Sequence, residues 1–481
     1  MSSTRSEAGS QSCKLPPNSF FGFFYTKSCK HEMKEKGQVS EKLLAQIWKG
    51  LAGERFCTSD GRQVDVVYPG RENTDHGPDF QDAIIATGSG GLITGDIELH
   101  IRASDWRAHG HHRDPRYNGV ILQVVLWDEE QAPALLEDGK AMPTLALSQW
   151  LTGSVEEIRH WASRRQVPSE PCRHAVAYLG DATMGRLLDE AGEQRFRLKA
   201  ALFGQRISEG EAEQVLHQGI MRALGYAKNK ERFQELASRL PVSVIRELVR
   251  GQPWQRGCLI LRALLLGTAG LLPSQRGIML EGDEGAGLEE HWRCCGAVAM
   301  MSYSQWHLFR VRPENHPTRR LIAASYLLSR FLPAGLLPSV LGLVQGEQRK
   351  LEAGFMFSAQ GYWGEHFDFG CRTGNPSLIG RGRARDIIVN IVLPLAFAWA
   401  GLNSQLKLGE HTLELYRCYP KLAENEITRE MAGLLWGANS PKLVNSAQRQ
   451  QGLLHLFHSF CRQRKCAQCP IAMLIPAAGL A

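Results

Sequence analysis

The sequence predicts an α+β protein in which a small mixed β-sheet precedes a large all-α region that ends in a cysteine cluster. Three observations carry that expectation. Up to about residue 148, apolar residues alternate at period two between Gly- and Pro-rich turns. Beyond Pro143 they recur at three- and four-residue spacing instead. The charge changes with the texture: residues 33–150 hold 12 Lys+Arg against 18 Asp+Glu, while residues 151–481 carry a net +11. A chain of 481 residues with 43% hydrophobic and 22% charged residues has globular composition, which excludes wholesale disorder, collagen and coiled coil.

The elements follow in order. Residues 1–32 show neither period and are read as a disordered tail, or as an extension ahead of a start near Met33. A mixed α/β domain is expected over 33–148. It begins with a helix, Glu41 to Trp48, for which Ser40 is the N-cap. Val64, Val66 and Tyr68 mark a strand that Pro69-Gly70 ends. Ala83–Thr87 is a second strand, Gly88–Gly91 a tight turn, Leu92–Ile101 a third strand and Val120–Trp127 a β-branched fourth. A polar, His-rich stretch, Ser104–Asn118, lies between the last two, with Ser104 placed to cap a short helix. Helix, three strands, helix, strand implies a mixed sheet with a crossover into its fourth strand. A helical domain is expected over 149–445, and a helix with a cysteine tail over 446–481. The expected helical stretches are Trp150–Gln166, Gly180–Arg206, Glu209–Leu224, Lys230–Leu240, Pro253–Leu272, His316–Arg330, Arg383–Ala400, Glu424–Trp436 and Leu443–Cys461.

Twelve cysteines in so long a chain are far below disulfide-scaffold density, so a reducing cytoplasm is expected. The longest apolar runs, Cys258–Leu272 and Ile387–Leu402, are interrupted by Arg262 and by Asn390 and Pro394. They fall short of the ~18–20 residues of a membrane span, so no membrane association is expected.

The most informative local pattern is Gly77-Pro78-Asp79-Phe80 followed by Gly95-Asp96-Ile97-Glu98-Leu99-His100. Glu98 and His100, two apart on a strand, point to one face. Asp79 stands at the mouth of the preceding strand. Two carboxylates and the Leu99 carbonyl give three hard oxygen ligands, suited to Mg²⁺ or Mn²⁺. This arrangement resembles the PD-(D/E)xK nuclease superfamily in spacing and element order, with His100 where that superfamily has lysine. The resemblance implies a nuclease-like sheet in which Asp79 and Glu98 hold the metal. His100 would then serve as base or ligand. The cluster His109, His111 and His112 supplies either supporting hydrogen bonds to that site or a separate zinc site. Trp106 and Tyr117 flank it and are expected to cover the sheet.

Cys461, Cys466 and Cys469 lie among Arg462, Arg464 and Lys465, a setting that favours thiolate and metal ligation, Zn or Fe–S. The fourth ligand is open between His458, Cys418 and Cys371. The spacing resembles the cluster loop of helix-hairpin-helix DNA glycosylases. Arg310, Arg312, Arg319 and Arg320 surround an expected helix start at Pro317, and Arg381 and Arg383 form a second basic run. Together they suggest a phosphate-binding surface, and DNA as partner. The alternative for each arginine is a solvated helix end or a local ion pair.

Tyr68–Asn73, Gly77–Phe80, Gly95–His100, Asp105-Trp106, His109–His112, Leu224–Asn229, Arg312–Pro317 and Cys461 to Pro470 together resemble the bacterial family "domain of unknown function 2851" from about residue 40 to 472. Gln123 departs from that family, which has histidine before the two valines. The resemblance implies a one-piece bacterial protein and carries no established activity with it. The residues point first to a metal-dependent nuclease acting on DNA. The alternatives are a non-catalytic nucleic-acid-binding protein and a metal-dependent hydrolase of a small phosphorylated substrate.

Overall fold

Ser40 starts the first helix as expected. Its Oγ accepts the Leu43 N–H at 3.3 Å, filling one of the orphan donors at a helix start, and α1 runs over Glu41–Lys49. The computed structural model describes residues 40–73, 76–88, 91–129, 133–151, 171–278, 283–294, 300–437, 443–463 and 465–475. The tail at 1–32, most of the helix expected at 150–166 and Arg464 lie outside them. The chain divides into two units, Met1–Glu170 and Pro171–Ala481.

The first unit is built on a seven-stranded sheet. Its strands are β1 (Arg55–Cys57), β2 (Gln63–Tyr68), β3 (Arg71–Glu72), β4 (Phe80–Thr87), β5 (Leu92–Arg102) and β6 (Val120–Trp127). After a small hairpin, β7 (Ala134–Leu135) with β8 (Ala141–Met142), comes β9 (Thr144–Ala146). The order is β1-β2-β4-β5-β6-β9, with β3 also paired to β4. Pairing is antiparallel as far as β5, and parallel from β5 to β6 and from β6 to β9. The crossover between β5 and β6 holds α2 (Asp105–Ala108) and two short turns, His111–Arg113 and Pro115–Tyr117. Ser104 precedes α2, but its side chain makes no capping bond. Strands of two or three residues are too short to display a period, which is why β1, β3 and β7 to β9 are not foreseen. Glycine is required at position 95: a Cβ there would lie 2.2 Å from Ile121 Cγ2 and 2.8 Å from Gly119 O.

Strand alternation separates two faces. Ile97 and Leu99 of β5 and Leu122, Val124 and Leu126 of β6 pack with Leu43, Leu44, Ile47 and Trp48 of α1 in one buried cluster. Burial of each such side chain stabilises by ~1.5–3 kcal/mol. Their neighbours Glu98, His100 and Gln123 therefore face the other way, under the crossover.

The second unit is helical, with two short hairpins, Phe357–Ser358 with Ser377–Ile379 and His366–Asp368 with Cys371–Arg372. The helix Ala175–Glu209, kinked at Gly180 (φ +70°), lies against Ala447–Leu456. Gly192 and Gly452 allow that approach: a Cβ would meet Gln448 O at 2.1 Å or Leu188 O at 2.3 Å. The C-terminal segment, expected to be separate, is thus part of this unit. Its Leu453, Cys469 and Ile471 share a core with Cys172, Met184 and Leu188. Short helices at Val242–Val249, Leu336–Val344 and Leu406–Arg417 also exceed the expectation.

Two helical stretches, Trp254–Arg276 and Arg381–Leu402, are 23 and 22 residues long and apolar enough to cross a membrane by length and composition. Their polar residues make each run look shorter in the sequence than the helix that forms. Arg381–Leu402 continues past Asn390 through one wide π-turn, Ile388–Val392, which places Pro394 at the start of the next helical segment, where it needs no N–H partner. In the folded unit 78% and 50% of their apolar windows are buried.

Candidate functional site

Asp79 and Glu98 are brought together by the way β4 begins. The Asp79 N–H donates to Glu98 Oε2 at 3.0 Å, and the Leu99 N–H donates to Asp79 Oδ2 at 2.9 Å. The approach depends on a bulge between Phe80 and Ala83, where Asp82 takes a left-handed φ of +59° and its N–H reaches Asp96 Oδ1 at 3.2 Å. Such a conformation is costly for a residue with a Cβ and re-aims the strand end. Asn73 holds the incoming loop, donating its N–H to Asp79 O at 2.6 Å and its Nδ2 to Pro78 O at 2.9 Å.

The histidines converge from the crossover. His111 Nε2 is 3.2 Å and His100 Nε2 3.7 Å from Glu98 Oε1. His100, His109 and His111 can bring ligand atoms within 4.8 Å of one another, with His109 exposed and His100 buried. Among the described residues this is the only such group of three His, Cys, Asp or Glu. His112 stands apart from it, its Nδ1 buried without a hydrogen-bond partner. The Tyr117 ring lies 4.0 Å from that of His111, and Trp106, 1% exposed, donates Nε1 to Leu135 O at 3.0 Å. Both cover the sheet.

Burial dominates the electrostatics. It raises the Asp79 carboxyl to about 7, with the Glu98 charge adding to the rise and the Leu99 N–H opposing it. Glu98 is pushed up to about 8, again chiefly by burial. His100 is held down at about 3 by burial, then by His111 and His109; burial also lowers His111. Two carboxyls that resist ionisation beside neutral imidazoles form a site in which a divalent cation would replace protons. The oxygens suit Mg²⁺ or Mn²⁺, and the imidazoles add affinity for Mn²⁺ and later metals.

Three contributors escape a reading of the sequence. Glu41, in the first turn of α1, adds negative charge that raises both Asp79 and Glu98; its acidic N-terminal position resembles ordinary helix-start chemistry and gives no other signal. Asn73 is the loop anchor. Gln123, 1% exposed, places its Nε2 3.2 Å from His100 Nδ1. A lone amide within the apolar run Val120–Trp127 is the available signal.

The other expected residues separate. Arg319 and Arg320, expected on a phosphate-binding surface, are 1% and 4% exposed. Arg319 donates to the carbonyls of Trp363, His366, Asn375 and Ser377. Arg320 donates to Leu378 O, to Tyr226 Oη at 2.7 Å and to Asn315 Oδ1 at 2.9 Å. They tie the two short hairpins to the helix Pro317–Phe331 and cannot also meet solvent phosphate. Arg383 is turned inward over the Tyr226 ring, 3.1 Å from its centroid. Arg310, Arg312 and Arg381 are exposed. Among the described residues, Cys461, Cys466 and Cys469 do not form a group of three ligand atoms close enough to share one ion. Cys469 is buried and Cys461 half-buried in the apolar cluster around Leu453, where a thiol packs as a small hydrophobe.

No curated protein and no solved structure matches the chain. A family model matches residues 41–425, which hold the whole sheet and most of the helical unit, and the chain therefore belongs to the family described as Protein of unknown function (DUF2851).

Proposed function

We propose that this protein is a divalent-metal-dependent phosphodiesterase acting on DNA, with its metal site on the mixed sheet. The observation that carries the reading is the interlocked pair Asp79–Glu98, joined through backbone N–H groups and raised to about 7 and 8 beside His111 and His100. Asp79 and Glu98 would hold Mn²⁺ or Mg²⁺, with His111 and His109 as nitrogen neighbours and Glu41 adding negative charge. The cation would supply an activated water and neutralise charge on the phosphoryl group. The protein's own part is to fix both carboxylates, disfavour protonation of His100 and His111 by burying them, and cover the sheet with Trp106 and Tyr117. The exposed Arg310, Arg312 and Arg381 are the remaining candidates for phosphate contact.

The test is cleavage of DNA by the full chain with Mn²⁺, Mg²⁺ or chelator. Cleavage is expected only with the cation, and is expected to disappear in Asp79→Ala and Glu98→Ala. Equal cleavage by both variants would remove the site. DNA binding without cleavage under any divalent ion would support the non-catalytic alternative instead.

A further inference from the structure

What His100 can do is decided one strand away. Glu98, Gln123 and Thr144 sit in register across β5, β6 and β9, and the polar side chain of Gln123 is closed off from solvent. Thr144 Oγ1 donates to Gln123 Oε1 at 3.3 Å, while Gln123 Nε2 lies 3.3 Å from Ala103 O and 3.2 Å from His100 Nδ1. A carbonyl oxygen only accepts, so the nitrogen end of the amide must face Ala103. The reversed amide would set two oxygens against each other and lose that bond. The same nitrogen, a donor only, then faces His100 Nδ1, which must accept and so carries no proton. The imidazole proton resides on Nε2. That atom is buried without a hydrogen-bond partner, and Glu98 Oε1, 3.7 Å away, is too far to accept.

We propose that Gln123 locks His100 as an Nε2–H donor aimed into the carboxylate site, so that His100 neither ligates the cation nor takes a proton from water. It presents one fixed hydrogen-bond donor to an anionic oxygen of the ligand. Under the phosphodiesterase reading, on which only the identity of that oxygen rests, the acceptor is a phosphoryl oxygen. It departs from the expectation that His100 is a base or a ligand, because its one unprotonated nitrogen would already be occupied by the Gln123 amide. Gln123 is a positioning residue, and it restricts the nitrogen ligands of the group to His109 and His111. A site limited in this way leans toward oxygen-seeking cations, and away from the three-imidazole geometry that favours zinc.

The experiment reads the tautomer directly in the full-length chain labelled with ¹⁵N-histidine, with the His100 signals assigned by their loss in His100→Gln. Long-range ¹H–¹⁵N correlations are expected to show a bare Nδ1 and a protonated Nε2, unchanged when Mg²⁺ or Zn²⁺ is added. Gln123→Met, close to isosteric, removes the donor. Both tautomers should then appear, and Zn²⁺ at this site, identified by its loss in Glu98→Gln, should bind about tenfold more tightly, the worth of one neutral hydrogen bond. A proton on Nδ1 in the unsubstituted chain, or an Nε2 signal that moves to a metal-bound position with Zn²⁺, would overturn the proposal. The unsubstituted chain decides the matter even if Gln123→Met fails to fold. No cleavage is measured, so an inactive protein with a bare Nδ1 defeats the phosphodiesterase reading and leaves this one standing.

Discussion

Replacing Asp79 by Asn is expected to stabilise the metal-free protein near pH 8 and to make it indifferent to divalent cations. Asp79 is raised from 3.8 to about 7 and Glu98 from 4.5 to about 8. The folded state therefore holds these protons more tightly than the unfolded chain. Their stabilisation is complete below about pH 4 and is lost as pH climbs through 7 to 8. For Asp79 alone, the difference between 3.8 and about 7 corresponds to about 4 kcal/mol against the ionised form. Partial exposure and the Leu99 N–H that remains on Oδ2 reduce the expected gain to roughly 1–2 kcal/mol, or several degrees in melting temperature. Asparagine keeps the shape and the oxygen that accepts from Leu99. The assay is thermal melting in chelator and in excess Mn²⁺ at about pH 6 and about pH 8. The unsubstituted protein should gain most from Mn²⁺ at the higher pH, where fewer protons must leave, and Asp79→Asn should gain nothing. If Asp79→Asn melts lower than the unsubstituted chain in chelator near pH 8, or Mn²⁺ leaves the unsubstituted protein unmoved, the cation-site reasoning fails.

Other expectations are simpler. Arg310→Ala with Arg312→Ala should weaken DNA binding in fluorescence anisotropy and flatten its salt slope by about one for each phosphate that is no longer neutralised, with no change in melting. Arg319→Ala should instead lower the melting temperature. It leaves the buried carbonyl of Trp363 without its donor, at a cost of ~1–3 kcal/mol, and the part-buried carbonyl of His366 as well; an unchanged melt would return Arg319 to the surface. Gly95→Ala should break the β5–β6 pairing, because its Cβ would fall 2.2 Å from Ile121 Cγ2, and the expected sign is loss of soluble protein or a fall of several kcal/mol in stability. Cation dependence measured side by side should favour Mn²⁺ over Mg²⁺, and equal half-saturation would argue against imidazole participation.

The parts of the site that sequence can show are those governed by one local rule. Glu98 and His100 share a face because strand side chains alternate, and the structure keeps them there. Asp79 is visible only as a residue after Pro78; what carries it to Glu98 is a bulge at Asp82 and the Asn73 anchor, both set by tertiary contact. Gln123 stands out as a polar exception in an apolar strand, but its meaning needs the register that places it beside Glu98 and under His100. The arginines fail for the opposite reason. Arg319 and Arg320, in the first turn of a helix, look like solvated termini, and nothing local reveals that hairpin carbonyls from residues 363 to 378 require donors there. The same distinction qualifies the charge split. In the acidic sheet unit, Asp79 and Glu98 converge on one place and Glu41 adds to their field, so part of that negative charge is concentrated rather than spread over the surface. In the basic unit Arg319, Arg320 and Arg383 are turned inward against carbonyls and a tyrosine ring, so the net +11 overstates the positive surface. A sequence charge describes a binding face only where the fold leaves the side chain at the surface, and of the six arginines singled out in the sequence Arg310, Arg312 and Arg381 are the exposed ones on which a grip on phosphate is to be tested.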